Sequence, residues 1–237
     1  MKNKIDFHKE TQKILKQADK EQEKYFFETD GKKFVTYRGV FPAKYFSDTK
    51  FFAKNIPSKK GKALLEIGSG TGVISIFMAL KGMKVVATDI NPLAVENTKE
   101  NVKSYNLSKS VKVLKGDLFE PVKNKKFDII FWNYPFCYSE NKNLKINERA
   151  VSDYKYEGLK KFAKDAKKHL NKKGKILIGF STTIGNYQRF KEIIEKENLK
   201  PKIIAQKIDG QGNKKATGEE HPKVKYELFD LISNPKT

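Results

Sequence analysis

From residue 63 onward the chain alternates short apolar runs with longer segments of helical apolar spacing. Residues 63–67, 84–88, 111–114, 127–132 and 176–180 read as buried strands, and 73–81, 92–105, 159–170 and 187–197 as helices. Pro92 suits a first helical turn, and Gly174 is placed to stop the helix that carries Leu159, Phe162, Ala163, Ala166 and Leu170. Residues 203–208 and 224–232 follow as two closing strands around a loop rich in Gly, Lys and Glu. Strand–helix alternation with short loops predicts an α/β fold whose parallel sheet is covered on both faces. The first 50 residues differ. Residues 4–24 are mostly charged with a weak helical stripe of Ile5, Ile14, Leu15 and Ala18, and 25–29 and 32–38 flank Asp30-Gly31, a two-residue hairpin turn. The segment Ser47-Asp48-Thr49 offers an N-cap for a short helix through Phe52 and Ala53. Residues 1–50 therefore form a helix-and-hairpin segment, a lid or recognition element, and 51–237 the α/β domain, with Pro57 and the lysines around Gly61 near the junction.

Charge changes the picture only in part. The 237 residues include 49 basic and 28 acidic side chains, a net charge of +21. Such a charge suits an anionic partner, yet only Arg38, Arg149 and Arg189 are arginines, the residue that phosphate and base recognition favours. Solvated lysine surface and a nucleic-acid footprint both remain open. The longest apolar run, residues 72–80, is far short of the roughly 20 needed for a membrane span. One cysteine, Cys137, excludes an internal disulfide and a zinc cluster, so the expectation is a cytoplasmic protein with no metal.

The first strand ends in Glu66-Ile67-Gly68-Ser69-Gly70-Thr71-Gly72. Glycines let the backbone approach a ligand closely, and the following helix presents free amides. A dinucleotide loop needs its third glycine where Val73 stands, and the lysine triplet of a phosphate-cradling loop is missing. Instead, Asp89 and Asp117 end the next two strands. Asp89, about 20 residues past the loop, is placed to accept from both ribose hydroxyls. Asp117 suits an adenine amine, and Glu66 a cationic methionine-like group. The set fits a positively charged nucleoside without phosphate.

These residues resemble class I S-adenosylmethionine-dependent methyltransferases, and Leu170-Asn171-Lys172-Lys173-Gly174 resembles the entry to that fold's fifth strand. The resemblance implies a Rossmann-like seven-stranded, mostly parallel sheet with its last strand antiparallel. It assigns Glu66, Gly68, Ser69, Gly70, Thr71, Gly72, Asp89, Ile90, Asp117, Leu118 and Asn133 to the S-adenosyl-L-methionine site.

Asn133-Tyr134-Pro135-Phe136 follows the fourth strand and resembles the [DN]-P-P-[YF] motif of methyltransferases acting on planar nitrogens. The lone pair of an amide or aryl amine is delocalised, so both N–H groups need fixed acceptors. The Asn133 side-chain oxygen and the Tyr134 carbonyl are suited to that, with Phe136 stacked on the substrate plane. Tyr134 stands where the family has its first proline. Pro42 to Thr49 and Glu157-Gly158-Leu159 are similar to patches of the HemK/PrmC glutamine methyltransferases, although Ala43 replaces an arginine and the amino-terminal region is shorter. The expected acceptor is a macromolecule, a protein glutamine or an RNA or DNA base. A small-molecule amine is the alternative if the first 50 residues close the pocket. A non-catalytic RNA-binding module is the rival from another class, opposed by the intact glycine loop and its three acids. His8, His169 and His221 are expected in surface or capping roles, Cys137 as a small packed residue, and Tyr187 and Gln188 as a helix start.

Overall fold

The computed structural model describes residues 5–233. Helix α1 (Phe7–Ala18) starts at Asp6, whose side chain accepts from His8 N and Lys9 N, and it buries Thr11, Ile14 and Ala18. Ile5, expected on that stripe, is exposed. Strands β1 (Lys24–Thr29) and β2 (Lys32–Tyr37) form the hairpin, with positive φ at both Asp30 and Gly31 as the turn requires. Then come α2 (Asp48–Asn55), β3 (Ala63–Ile67), α3 (Val73–Leu80), β4 (Lys84–Asp89), α4 (Pro92–Ser104) and β5 (Val111–Lys115). The second half contains β6 (Phe127–Asn133), β7 (Cys137–Ser139), β8 (Ser152–Tyr154), α5 (Glu157–Ala166), β9 (Leu170–Phe180) and α6 (Tyr187–Lys196). It closes with β10 (Leu199–Gly210), α7 (Lys214–Thr217) and β11 (Lys223–Ser233).

Seven strands form the main sheet in the order β10-β11-β9-β6-β3-β4-β5. The strands β9, β6, β3, β4 and β5 run parallel, and β11 pairs antiparallel with both β9 and β10. The order reverses at β3, so the carboxyl ends of β3 and β6 border the crevice where such sheets hold ligands. Both faces are covered. Phe52, Ile74, Ile76 and Val102 pack on one side, and Leu159, Phe162, Phe190 and Ile194 on the other.

The hairpin joins the body through amides rather than strand pairing. On α4, Asn101 Oδ1 accepts from Val35 N and Asn97 Oδ1 from Tyr37 N, each at 2.9 Å, while both side chains donate to Val35 O. Spaced four apart on one helix face, these two asparagines present β2 with the donors and acceptors of a neighbouring strand.

Two expectations are corrected. The helix assigned to residues 159–170 ends at Ala166, and after a short 3₁₀ turn Leu170 already opens β9, paired with Phe127. Leu170 keeps helical spacing from Ala166 by coincidence. The partner of Phe127 is Leu170 and that of Ile129 is Lys175, so Asn171–Gly174 is a bulge in the strand rather than a helix stop. The second correction is the ribbon of β7 and β8, which pair in parallel inside a stretch that reads only as polar loop.

Candidate active site

The glycine turn is a consequence of its dihedrals. Gly68, Gly70 and Gly72 adopt φ of 66°, 55° and 79°, a region that costs other residues free energy. At Gly70 this turns the amide toward β4, where Asp89 Oδ2 accepts it at 2.9 Å. Asp89 Oδ1 accepts from Asn91 N at 2.9 Å, so the carboxylate joins the glycine turn to the start of α4. A Cβ at Gly72 would lie 2.8 Å from Thr98 Cγ2. Thr98 Oγ1 also donates to Gly70 O, and Asn101 Nδ2 to Thr71 O. The turn is thus held from the same helix that holds the hairpin.

One cavity of about 410 Å³ brings together Glu66, Gly68, Ser69, Gly70, Thr71, Asp89, Ile90, Asp117 and Leu118 with Asn133, Tyr134, Pro135 and Phe136. Gly72 lies off its wall. As N-cap of α3 packed on Thr98 it shapes the turn. Asp117 is half-buried on the wall, its carboxylate 3.7 Å from the Lys161 ammonium. Glu66 is buried and accepts from Ser75 Oγ. Burial pushes its carboxyl up to about 8, with the Asp89 charge adding to the rise and Ser75 opposing it. Burial likewise raises the Asp89 carboxyl, against the amides of Gly70, Asn91 and Ile90.

At the end of β6, Asn133 Nδ2 donates to Asp48 Oδ2 at 2.9 Å, and Asn133 Oδ1 is buried without a partner among the described residues. Asp48 itself is 3% exposed. Burial raises its carboxyl, opposed by the hydrogen bonds from Asn133 and Thr49. Turning the Asn133 amide over would set its oxygen against the Asp48 carboxylate, so the unpaired atom is the acceptor.

Tyr134 has a different anchor from the proline of the related motif. Its amide donates to Gly179 O at 3.2 Å, a bond that proline cannot make. Its hydroxyl donates to Asp153 Oδ2 at 2.9 Å, and Asp153 also accepts from Gly158 N and Leu159 N at the start of α5. Tyr156 completes the brace: its hydroxyl donates to Phe136 O at 2.7 Å and accepts from Asn186 N. The ring of Phe136 lies on the cavity wall between Phe180 and Tyr226.

Several wall residues escape a reading of the sequence. Thr11, Phe41, Ala43, Phe46, Asp48 and Thr49 bring the first 50 residues onto the wall, and Lys142, Leu144, Ile146 and Arg149 come from the loop between β7 and β8. Trp132, Gln211 and Tyr226 add to it. They come from distant segments, and the sequence marks some of those segments only as hydrophilic stretches, 138–152 and 210–223, suited to shaping an acceptor pocket. Lys142, Leu144, Ile146, Arg149 and Gln211 fall within them. Cys137 is buried, and burial pushes its thiol up to about 12. His8 is exposed, but His169 and His221 are not surface groups. His169 stacks on Phe119 with Nδ1 3.0 Å from Lys125 O, and His221 Nδ1 lies 2.6 Å from Glu10 Oε1. Among the described residues no cluster of three His, Cys, Asp or Glu could hold a metal, and no helix is long and apolar enough to cross a membrane.

A doubly wound sheet, a glycine turn tied to an acid on the next strand and a cavity lined by the strand-end acids Glu66, Asp89 and Asp117 are the fold and site pattern of the class I S-adenosylmethionine-dependent methyltransferases. The chain belongs to the methyltransferase small domain family, whose pattern matches residues 31–202. It is 35% identical over 159 residues to the release factor glutamine methyltransferase of Aquifex aeolicus, covering 63% of this chain and 56% of that protein. It is 38% identical over 159 residues to a protein of Methanocaldococcus jannaschii named as a protein N5-glutamine methyltransferase, covering 65% and 76%. The chain thus spans little more than half the length of the first relative. Among solved structures, a ribosomal protein L11 methylase from Lactobacillus delbrueckii superposes with a TM-score of 0.55 at 16% identity, over 82% of this chain and 83% of that one. SMU.776 complexed with SAH gives 0.63 at 16% identity, over 89% and 57%. At that identity the likeness concerns the fold.

Proposed function

We propose that the protein transfers a methyl group from S-adenosylmethionine to a planar nitrogen, the side-chain carboxamide of a glutamine in a protein. The observation that carries this reading is Asn133, a residue of the cavity wall whose side-chain NH₂ is held by Asp48 while its oxygen is buried with no partner among the described residues. A buried acceptor without a donor costs about 1–3 kcal/mol, and an incoming N–H removes that cost. The relatives that carry the name of glutamine methyltransferases support a carboxamide as its source.

The residues fit the cofactor. Asp89 uses one interaction of each oxygen on Gly70 N and Asn91 N and keeps lone pairs for two ribose hydroxyls. Glu66 supplies a carboxylate to a cationic group, and Ile90 and Leu118 offer apolar walls for a base. Bound there, S-adenosylmethionine supplies an electrophilic methyl on a sulfonium. Asn133 Oδ1 and the Tyr134 carbonyl accept the two carboxamide hydrogens, which fixes the amide plane and aims the nitrogen lone-pair lobe at the methyl position, and the proton that the methylated nitrogen sheds leaves past these acceptors to water. Phe136 covers the amide plane. The task is mostly positioning, and Tyr134, Asp153 and Tyr156 keep the loop rigid for it.

A small amide or amine is the second reading, favoured by the six residues of the first 50 on the cavity wall. Labelled S-adenosylmethionine offered with separate protein, RNA and small-metabolite fractions of a cell extract distinguishes the two. Label on protein glutamine is the expected result. Label only on small metabolites replaces it with the second reading, and label only on RNA contradicts both.

A further inference from the structure

A second carboxamide on the cavity wall repeats the arrangement of Asn133. Gln211, just after β10, is 1% exposed. Its Nε2 donates to Phe7 O at 2.8 Å and to Thr11 Oγ1 at 2.6 Å, so both amide hydrogens are engaged. Its Oε1 is buried with no partner among the described residues. Turning the amide over would set Oε1 against the Phe7 carbonyl oxygen, so this orientation is the one its neighbours permit. The main chain is held as well: Gln211 N donates to Pro222 O at 2.9 Å, and Gln211 O accepts from Tyr226 Oη at 3.1 Å.

Two contacts place this group beside the acceptor motif rather than the nucleoside end. Thr11 Oγ1, which Gln211 holds, lies 3.9 Å from the sulfur of Cys137, the residue directly after Phe136. The ring of Tyr226 packs on that of Phe136 at 6.4 Å between centroids. An acceptor that satisfied Asn133 alone would leave the Gln211 oxygen stranded. A small amide whose only N–H groups are those of its carboxamide has none left for it, whereas a glutamine within a peptide also carries backbone amides.

We infer that Gln211 Oε1 is a second, non-reacting subsite that accepts a backbone N–H next to the carboxamide held at Asn133, selecting peptide over small-molecule acceptors. This inference rests on the glutamine reading above. It gives Gln211 a place in substrate recognition, apart from its tie to α1.

The test compares an N-acetylated peptide containing one glutamine with two ester analogues, in which oxygen replaces the backbone N–H of the glutamine or of the residue after it. Labelled methyl transfer is measured for the wild type, Gln211→Ala and Gln17→Ala. Gln17 ties α1 to the Thr217 carbonyl at 2.8 Å and does not touch the subsite. The wild type is expected to prefer the amide peptide to one ester by about tenfold, because a site built for a donor rejects its absence. Gln211→Ala should lose about tenfold in kcat/KM, mainly through KM, and treat that pair alike. Gln17→Ala should keep the preference. Methylation of all three peptides at equal efficiency by the wild type overturns the subsite alone, as does a preference that survives in Gln211→Ala or disappears in Gln17→Ala. Saturable cofactor binding with no transfer to any of the peptides overturns the glutamine reading and the subsite with it.

Discussion

The carboxylate of Asp48, first residue of α2, accepts a 2.9 Å hydrogen bond from Asn133 Nδ2 at the far end of β6. That bond decides which atom of the Asn133 amide is left without a partner among the described residues. Asp48→Ala frees the amide to turn over and is expected to lower methyl transfer by roughly 10²-fold through misplacement of the acceptor. Cofactor affinity should be unchanged. Asp48→Asn keeps an oxygen that accepts from Asn133 and should recover much of the rate. Equal loss in both variants would show that the charge, not the orientation, matters.

Glu66 predicts a pH dependence. Its carboxyl sits near 8, so it is largely neutral at pH 7 in the free protein, and a cationic ligand favours the ionised form. Affinity for S-adenosylmethionine should rise as pH goes from 7 to 9, with proton release on binding measurable by titration calorimetry in buffers of different ionisation enthalpy. Glu66→Gln should abolish that release.

The same shift bears on stability without ligand. A carboxyl raised in the folded state favours folding at low pH, and that contribution is lost as pH rises from about 4.5 toward 8. The raised carboxyls of Asp48, Asp89 and Asp153 act in the same direction. Thermal unfolding of Glu66→Gln should therefore fall less than that of the wild type between pH 5 and 9.

Restoring the related motif should do harm. Tyr134→Pro removes the amide bond to Gly179 O and the hydroxyl bond to Asp153, and opens space between Trp132 and Tyr156. A loss of about 3 kcal/mol, or roughly 6–12 °C in Tm, is expected. Tyr134→Phe, which loses only the hydroxyl, should cost about 1 kcal/mol. A proline variant as stable as the wild type would contradict this account of the loop.

How much was legible followed the sequence distance over which each feature is built. The glycine turn, Asp89 and Asp117 each stand at a strand end that local apolar runs reveal, so the cavity's nucleoside side was readable from residues 63–118. Asn133 was readable for the same reason, but its partner Asp48 stands 85 positions away, and only the folded chain joins them. Gln211 and Thr11 are 200 positions apart. The polar stretch between Cys137 and Tyr154 hid a parallel ribbon because three-residue strands carry no period to detect. Leu170 misled because strand pairing with Phe127 overrode its helical spacing.

The most direct measurement is mass spectrometry of a glutamine-containing protein acceptor after reaction with labelled S-adenosylmethionine, run beside cofactor titrations for the wild type and Asn133→Ala. The account predicts one labelled methyl on a glutamine side-chain nitrogen with the wild type. It predicts about 10²-fold or more loss of transfer in Asn133→Ala, with cofactor affinity preserved. Full transfer by Asn133→Ala, or label on an atom other than nitrogen, would contradict it.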